Sequence, residues 1–180
     1  AEAYIEKPFS YDYLKAQILS LLNNRQKERE AFSKRPFFPV QNMQMSKEDE
    51  VFMNKVIEVI NANMEDETFN VERMAEALCL SRSSLLRKIK TLFNMSPIDF
   101  IRLIRLKKAA ELIQDGKYRV GEISYMVGFG SHSYFSKLFF KQFGMTPKDF
   151  EQQIASTRSK VRNAQEINIE DLIQNNRANS

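Results

Sequence analysis

A chain of 180 residues with 27 Lys and Arg against 23 Asp and Glu, and 43% hydrophobic residues, has enough apolar material for a folded core and rules out disorder along its whole length. One cysteine and one histidine exclude an internal disulfide and a zinc site of the usual kind. No run of 18 apolar residues occurs and no charged-then-apolar leader opens the chain, so neither a membrane span nor a secretory signal is expected.

Residues 1–23 start with a β-like run, Ala3-Tyr4-Ile5, then EKPFS, then YDYLKAQILSLLNN. In the last piece Leu14, Ile18, Leu21 and Leu22 recur at helical spacing, with Ser10 as N-cap after Pro8. A lone strand and helix cannot bury a core, so this segment reads as the end of a domain whose beginning is missing. Residues 24–46 are polar, basic and Pro-containing and read as a linker. Residues 47–155 are helical in pattern throughout. Residues 156–180 read as a polar tail with a weak apolar stripe, Ile167, Ile169, Leu172 and Ile173.

Charge is uneven. Residues 47–76 hold nine acidic side chains against three basic ones, whereas residues 82–148 hold thirteen basic against four acidic. A basic stretch that is also rich in hydrophobics reads as a folded surface for a polyanion, with nucleic acid the leading candidate.

The helical block repeats itself. Shifted by 50 residues, FNMSPIDF (93–100) falls on FGMTPKDF (143–150), and Leu85, Arg87 and Ile89 fall on Phe135, Lys137 and Phe139. Upstream the best shift is 49, pairing Met74 with Ile123, Leu78 with Val127 and Leu80 with Phe129, so the second copy has one extra residue near 130. Each copy predicts a short helix (71–78 and 120–127), a tight turn, and a longer helix opened by Ser81 or Ser131. The core stripes of the longer helices are Leu85, Ile89, Leu92 and Phe135, Leu138, Phe139. This is the helix-turn-helix plan. Between the copies, residues 97–114 predict one helix capped by Ser96 and ended at Asp115-Gly116, roughly 27 Å long at 1.5 Å per residue. It could hold two reading heads about one turn of B-DNA apart.

Residues 69–150 resemble the DNA-binding domain of AraC-type transcriptional regulators. The carrying stretches are MAEALCLSRSSLLRKIKTLFNMSP, RLIRLKKAAELI and VGEISYMVGFGSHSYFSKLFFKQFGMTP, the last being the most specific. The resemblance implies an all-α, seven-helix domain with two helix-turn-helix units on a linking helix, bound to an asymmetric site on double-stranded DNA. AYIEKPFS and the helix after it look like the last strand and helix of a response-regulator receiver, with Lys7 and Pro8 in the places of its lysine and proline. Together the two resemblances imply the output end of a hybrid two-component regulator, bacterial and cytoplasmic, without cofactor and without membrane contact from this fragment. They also imply pairing through the receiver in the intact protein, contact with RNA polymerase, and activation of transcription.

With Leu85, Ile89 and Leu92 inward, Arg82, Ser83, Leu86 and Arg87 are expected to face DNA bases from the first recognition helix. The Arg87 fork suits guanine O6 and N7, and Arg82 is open to a phosphate role. Leu86 is read either as core or as a contact to a thymine methyl. In the second copy the equivalents are His132, Ser133, Ser136 and Lys137. Lys88, Lys90 and Lys141 are expected on phosphates. Of Arg102, Arg105, Lys107 and Lys108 on the linking helix, some are expected in structural ion pairs. Cys79 stands where the second copy has Gly128, so a positive φ there would be strained. A buried core thiol is its commoner reading and a redox switch the rarer. Phe140 stands where the family usually has a basic residue. Against the duplex reader stand a non-specific RNA or DNA binder and an enzyme. The first lacks an aromatic sheet surface. The second lacks a phosphate loop, a metal cluster and a His-centred triad.

Overall fold

In the computed structural model residues 11–37 and 43–178 are described. Among them are eight helices and no strand: α1 Tyr11–Lys34, α2 Lys47–Ala62, α3 Val71–Ala77, α4 Arg82–Phe93, α5 Pro97–Asp115, α6 Val120–Met126, α7 His132–Phe143 and α8 Pro147–Ala178. The expected strand at 3–5, Ile5, Lys7, Pro8, Phe9 and the cap at Ser10 lie outside the described residues.

The duplication is reproduced element by element. α3 and α6 have seven residues each, and α4 and α7 twelve. α5 and α8 both begin at proline, where the missing N–H would have had no helical partner. Ser96 and Thr146 hydroxyls accept from the backbone N–H of Asp99 and Asp149 at 3.2 and 3.1 Å. Ser81 and Ser131 do the same for Ser84 and Tyr134 at 3.2 and 3.3 Å. Each cap satisfies one of the orphan donors of a first turn.

Two cores result. One gathers Met53, Val56, Ile60, Met74, Leu85, Ile89, Phe93 and Phe100; the other Leu106, Ala109, Ile113, Ile123, Val127, Phe135, Phe139 and Phe150. α5 runs through both, its first half in one and its second half in the other, so eleven of its nineteen residues are buried. Apolar residues on more than one face are what a helix shared by two cores requires.

Both turns close in the same way. Leu80 N–H donates to Ala75 O at 2.9 Å and Cys79 N–H to Glu76 O at 3.0 Å; Phe129 and Gly128 donate to Ser124 O and Tyr125 O, each at 3.0 Å. This paired closure needs a left-handed residue, with φ 54° at Cys79 and 82° at Gly128. Cys79 is exposed, contrary to the buried-thiol reading, because the left-handed turn directs its side chain away from the core that Leu78 and Leu80 enter. Cys79→Gly is expected to stabilise the fold by about 0.5–1 kcal/mol, since glycine takes this φ without the Cβ penalty. An upward shift of the urea midpoint at constant slope is the check, and an unchanged or lower midpoint would remove the strain from the account.

Two segments differ from the sequence reading. The linker expected over 24–46 is helical to Lys34, because Gln26 to Ala31 is an unbroken run of helix formers and the first proline comes only at Pro36. The tail expected over 156–180 continues α8 to Ala178, with no Gly or Pro to stop it, and every residue from 156 to 178 is exposed.

The end of α1 is docked across both units. Phe32 is fully buried, its ring 4.9 Å from that of Phe93 and 6.3 Å from that of Phe100. Arg29 donates to Leu92 O at 3.0 Å and Thr91 O at 2.6 Å, at the C-terminal end of α4, where a cation also meets the negative end of the helix dipole. On the other unit, Gln142 Nε2 donates to Ser33 O, and Phe37 lies 5.8 Å from Phe150. Lys107 of α5 donates to Arg35 O at 2.8 Å and sits 4.2 Å over the Phe32 ring. Burial pushes its ammonium down to about 8, with Glu111 opposing.

Candidate nucleic-acid interface

α4 buries Leu85, Ile89 and Phe93, one stripe at i, i+4 and i+8, with Leu92 half-buried beside it. That stripe fixes what faces away. Arg82, Ser83, Leu86, Arg87, Lys88 and Lys90 are all exposed. Leu86, at 49% exposure, is an outward residue and not part of the core. In α7 Phe135 and Phe139 are buried and Leu138 is half-buried. His132, Ser133, Lys137 and Lys141 are exposed, and Ser136 is half-buried. Both longer helices thus turn a polar face to solvent, with Arg82 and Arg87 on α4 and Lys137 and Lys141 on α7. Neither first turn holds an acidic residue.

The side chains are not equivalent. Arg82 pairs with Glu72 of α3 at 2.7 Å, an exposed pair of the kind that contributes little to stability and is screened by salt. The pair leans Arg82 back toward the preceding helix. Arg87 Nη2 approaches Ser84 Oγ at 3.5 Å on the exposed face. Lys88 lies on the flank, its Nζ 4.6 Å over the ring of Phe52 in α2. A cavity of about 310 Å³ runs there, lined by Asp49, Ser84, Arg87, Lys88, Thr91 and Leu92. Fifty residues on from Lys90 stands Phe140, 55% exposed, so the second helix carries an apolar face where the first carries a cation. Tyr134, also exposed, stands in the first turn of α7 with its ring edge-on to Phe129 at 6.2 Å; the sequence reading passed over it.

On the linking helix the four cations divide. Arg102 pairs with Asp99 at 3.5 Å and Lys108 with Glu111 at 3.1 Å, both within α5. Arg105 and Lys107 are buried and reach backbone carbonyls instead. Asp66 in the α2–α3 loop accepts from the Thr68 hydroxyl at 2.6 Å and from Arg73 at 2.5 Å, which holds its carboxyl down to about 2. No helix among the described residues is long and apolar enough to cross a membrane, and no group of three or more His, Cys, Asp and Glu among them could hold a metal.

Residues 74–153 match a family described as a helix-turn-helix domain. Over 153 residues the chain is 37% identical to histidine kinase P4 of Formosa agariphila, a match covering 85% of this chain and 11% of that protein. Several transcription regulators match at 30–36% identity, and the chain covers 29–42% of their lengths. Three solved structures share the fold. The C-terminal domain of AraT, a response regulator from Geobacillus stearothermophilus, is 28% identical with a TM-score of 0.51, covering 61% of this chain and 88% of that one. The DNA-binding domain of AdpA, solved with a target DNA, is 25% identical with a TM-score of 0.51, covering 58% and 96%. A Chromobacterium violaceum regulator described as having an AraC-type DNA-binding domain is 24% identical with a TM-score of 0.56, covering 61% and 97%. The duplicated hairpins, the shared helix between them and these matches together show that residues 74–153 have the fold of an AraC-type helix-turn-helix domain.

Proposed function

We propose that this chain reads an asymmetric site on double-stranded DNA and controls transcription, as the output end of a two-component regulator. The observation that carries the reading is the pair of cationic recognition helices, α4 and α7, mounted at opposite ends of one rigid helix. α5 has nineteen residues, about 28 Å at 1.5 Å each, close to the separation of successive major-groove faces on one side of B-DNA. Arg82, Ser83, Leu86 and Arg87 read bases in one groove, and His132, Ser133, Ser136 and Lys137 in the next. Lys90 and Lys141 neutralise phosphates, and Lys88 does so from the α2 flank.

The two-component reading draws support from the length of the kinase match. Any 153-residue stretch of this chain includes residues 28–153, so the likeness reaches well upstream of the helix-turn-helix domain. The receiver end at 1–23, pairing of receivers, contact with RNA polymerase and activation belong to the same proposal.

Two measurements test it. Footprinting is expected to protect two major-groove segments about 10 base pairs apart on one face, with unrelated half-sites because RSSLLRK and SHSYFSK differ. On that site Arg87→Ala is expected to cost roughly 1–3 kcal/mol and relax preference at one base pair. Lys90→Ala should weaken all duplexes alike and flatten the salt dependence by about one unit. A palindromic site read by one head per subunit would sink the asymmetric reading, and equal losses on cognate and random duplex for both variants would leave only a non-specific binder.

A further inference from the structure

Arg105, in the middle of α5, has its polar end buried between the two reading units. It is 6% exposed, with Ile104 of one core before it and Leu106 of the other after it. Its Nη1 donates to Gly128 O at 3.0 Å and its Nη2 to Asp66 O at 2.7 Å. The two acceptors belong to different halves. Gly128 is the left-handed turn residue between α6 and α7, and Asp66 lies in the loop that leads into α3. Asp66 offers its carbonyl here because its carboxylate is taken up by Thr68 and Arg73.

The same loop is seated on the second unit's turn. A Cβ on Gly128 would stand 2.5 Å from Met64 O and 2.8 Å from the Arg105 guanidinium carbon, and a Cβ on Gly130 would stand 2.8 Å from Glu67 Oε2. Met64 packs against both cores. Gly130 falls where the repeat shift passes from 49 to 50, so the extra residue of the second copy lies where the Glu67 side chain crosses the turn. On the other side of α5, two residues and about 200° further round, Lys107 holds the end of α1. The shared helix is therefore tied on opposite faces.

We propose that Arg105 is a positioning residue that fixes the distance and rotation between α4 and α7, and thereby the number of base pairs the protein accepts between its two half-sites. The guanidinium does this because it is a rigid planar fork with a separate nitrogen for each carbonyl, whereas an ammonium offers rotatable donors from a single point. One base pair of added spacing displaces a half-site by about 3.4 Å and rotates it by roughly 34°, so heads held in one phase discriminate between spacings. The assignment rests on the two-headed reading of DNA proposed above.

The test uses the full chain with Arg105→Lys and Arg105→Met. One arm needs no DNA: spin labels at Ser83→Cys and Ser133→Cys, in a Cys79→Ser background, report the distance between the starts of α4 and α7. The parent is expected to give one narrow distribution and both Arg105 variants one at least about twice as wide, while thermal melting shows them folded. The other arm uses unlabelled protein on duplexes with the half-site spacing changed by one base pair. The parent should lose about tenfold in affinity and the variants less than about threefold, with binding to a single half-site changed by less than about twofold. Unchanged distance widths with an unchanged spacing penalty overturn the proposal. Loss of folding in both variants also overturns it, since Arg105 would then be a support of the core alone. If the parent shows no preference for two half-sites, the DNA reading fails while the distance arm still decides the tie.

Discussion

Phe32→Ala is expected to lower the unfolding free energy by about 3–5 kcal/mol, a large effect for a residue in a stretch that reads from sequence as linker. The ring is fully buried where α1, α4 and α5 meet, against Phe93 and Phe100, with the Lys107 ammonium over its face. Truncation leaves a cavity that cannot collapse without moving Phe93, which ends α4. It also strips the buried ammonium of its aromatic partner. A chain beginning at Lys47 should suffer at least the same loss, because Arg29 and the Arg35 carbonyl go with it. Urea unfolding of the two variants measures this. A loss below about 1 kcal/mol would mean that α1 does not pack on the domain in solution.

Gly128→Ala is expected to cost roughly 2–4 kcal/mol, against only about 1 kcal/mol for Gly144→Ala. The two glycines have nearly the same backbone, φ 82° and 78°, and so bear the same left-handed penalty. They differ in surroundings. A Cβ on Gly144 meets nothing within 4 Å, whereas on Gly128 it enters contact with Met64 O and the Arg105 guanidinium. The difference between the substitutions isolates the close approach of the α2–α3 loop from backbone conformation. Equal costs in a denaturant series would show that the loop yields and the contact is soft.

The duplicated hairpins were legible because their signals are local. A capping hydroxyl, a proline one residue later and an acid two residues beyond it mark the starts of α5 and α8, and apolar spacing marks the buried faces of α4 and α7. Leu86 was ambiguous by composition, and only the closing of the core on Leu85 and Ile89 decides it. The Arg82–Glu72 pair was out of reach, since it depends on how the turn at Cys79 sets α3 against α4. Docking of α1 was missed because one buried aromatic among charged helix formers makes no periodic stripe. The continuation of α8 was missed for the opposite reason: it rests on propensity with no burial at all. Arg105 was placed among cations of mixed fate, and nothing in its neighbours announces that its partners are carbonyls 23 and 39 residues away.

α1 is unbroken from Tyr11 to Lys34, about 36 Å of rod at 1.5 Å per residue. Its first half turns Tyr13, Ile18, Leu21 and Leu22 to solvent, while its last turns are gripped by both units. Such a rod carries torque as well as displacement. A residue inserted between Asn23 and Glu28 would rotate the apolar half by about 100° relative to the gripped end, and four would leave it about 40° out of phase. Seven would bring it back to within about 20° while lengthening the rod by roughly 10 Å. A partner held on the upstream half would therefore be coupled to α4 and α7 by angle, and the length of the connection would matter mainly through the phase it sets.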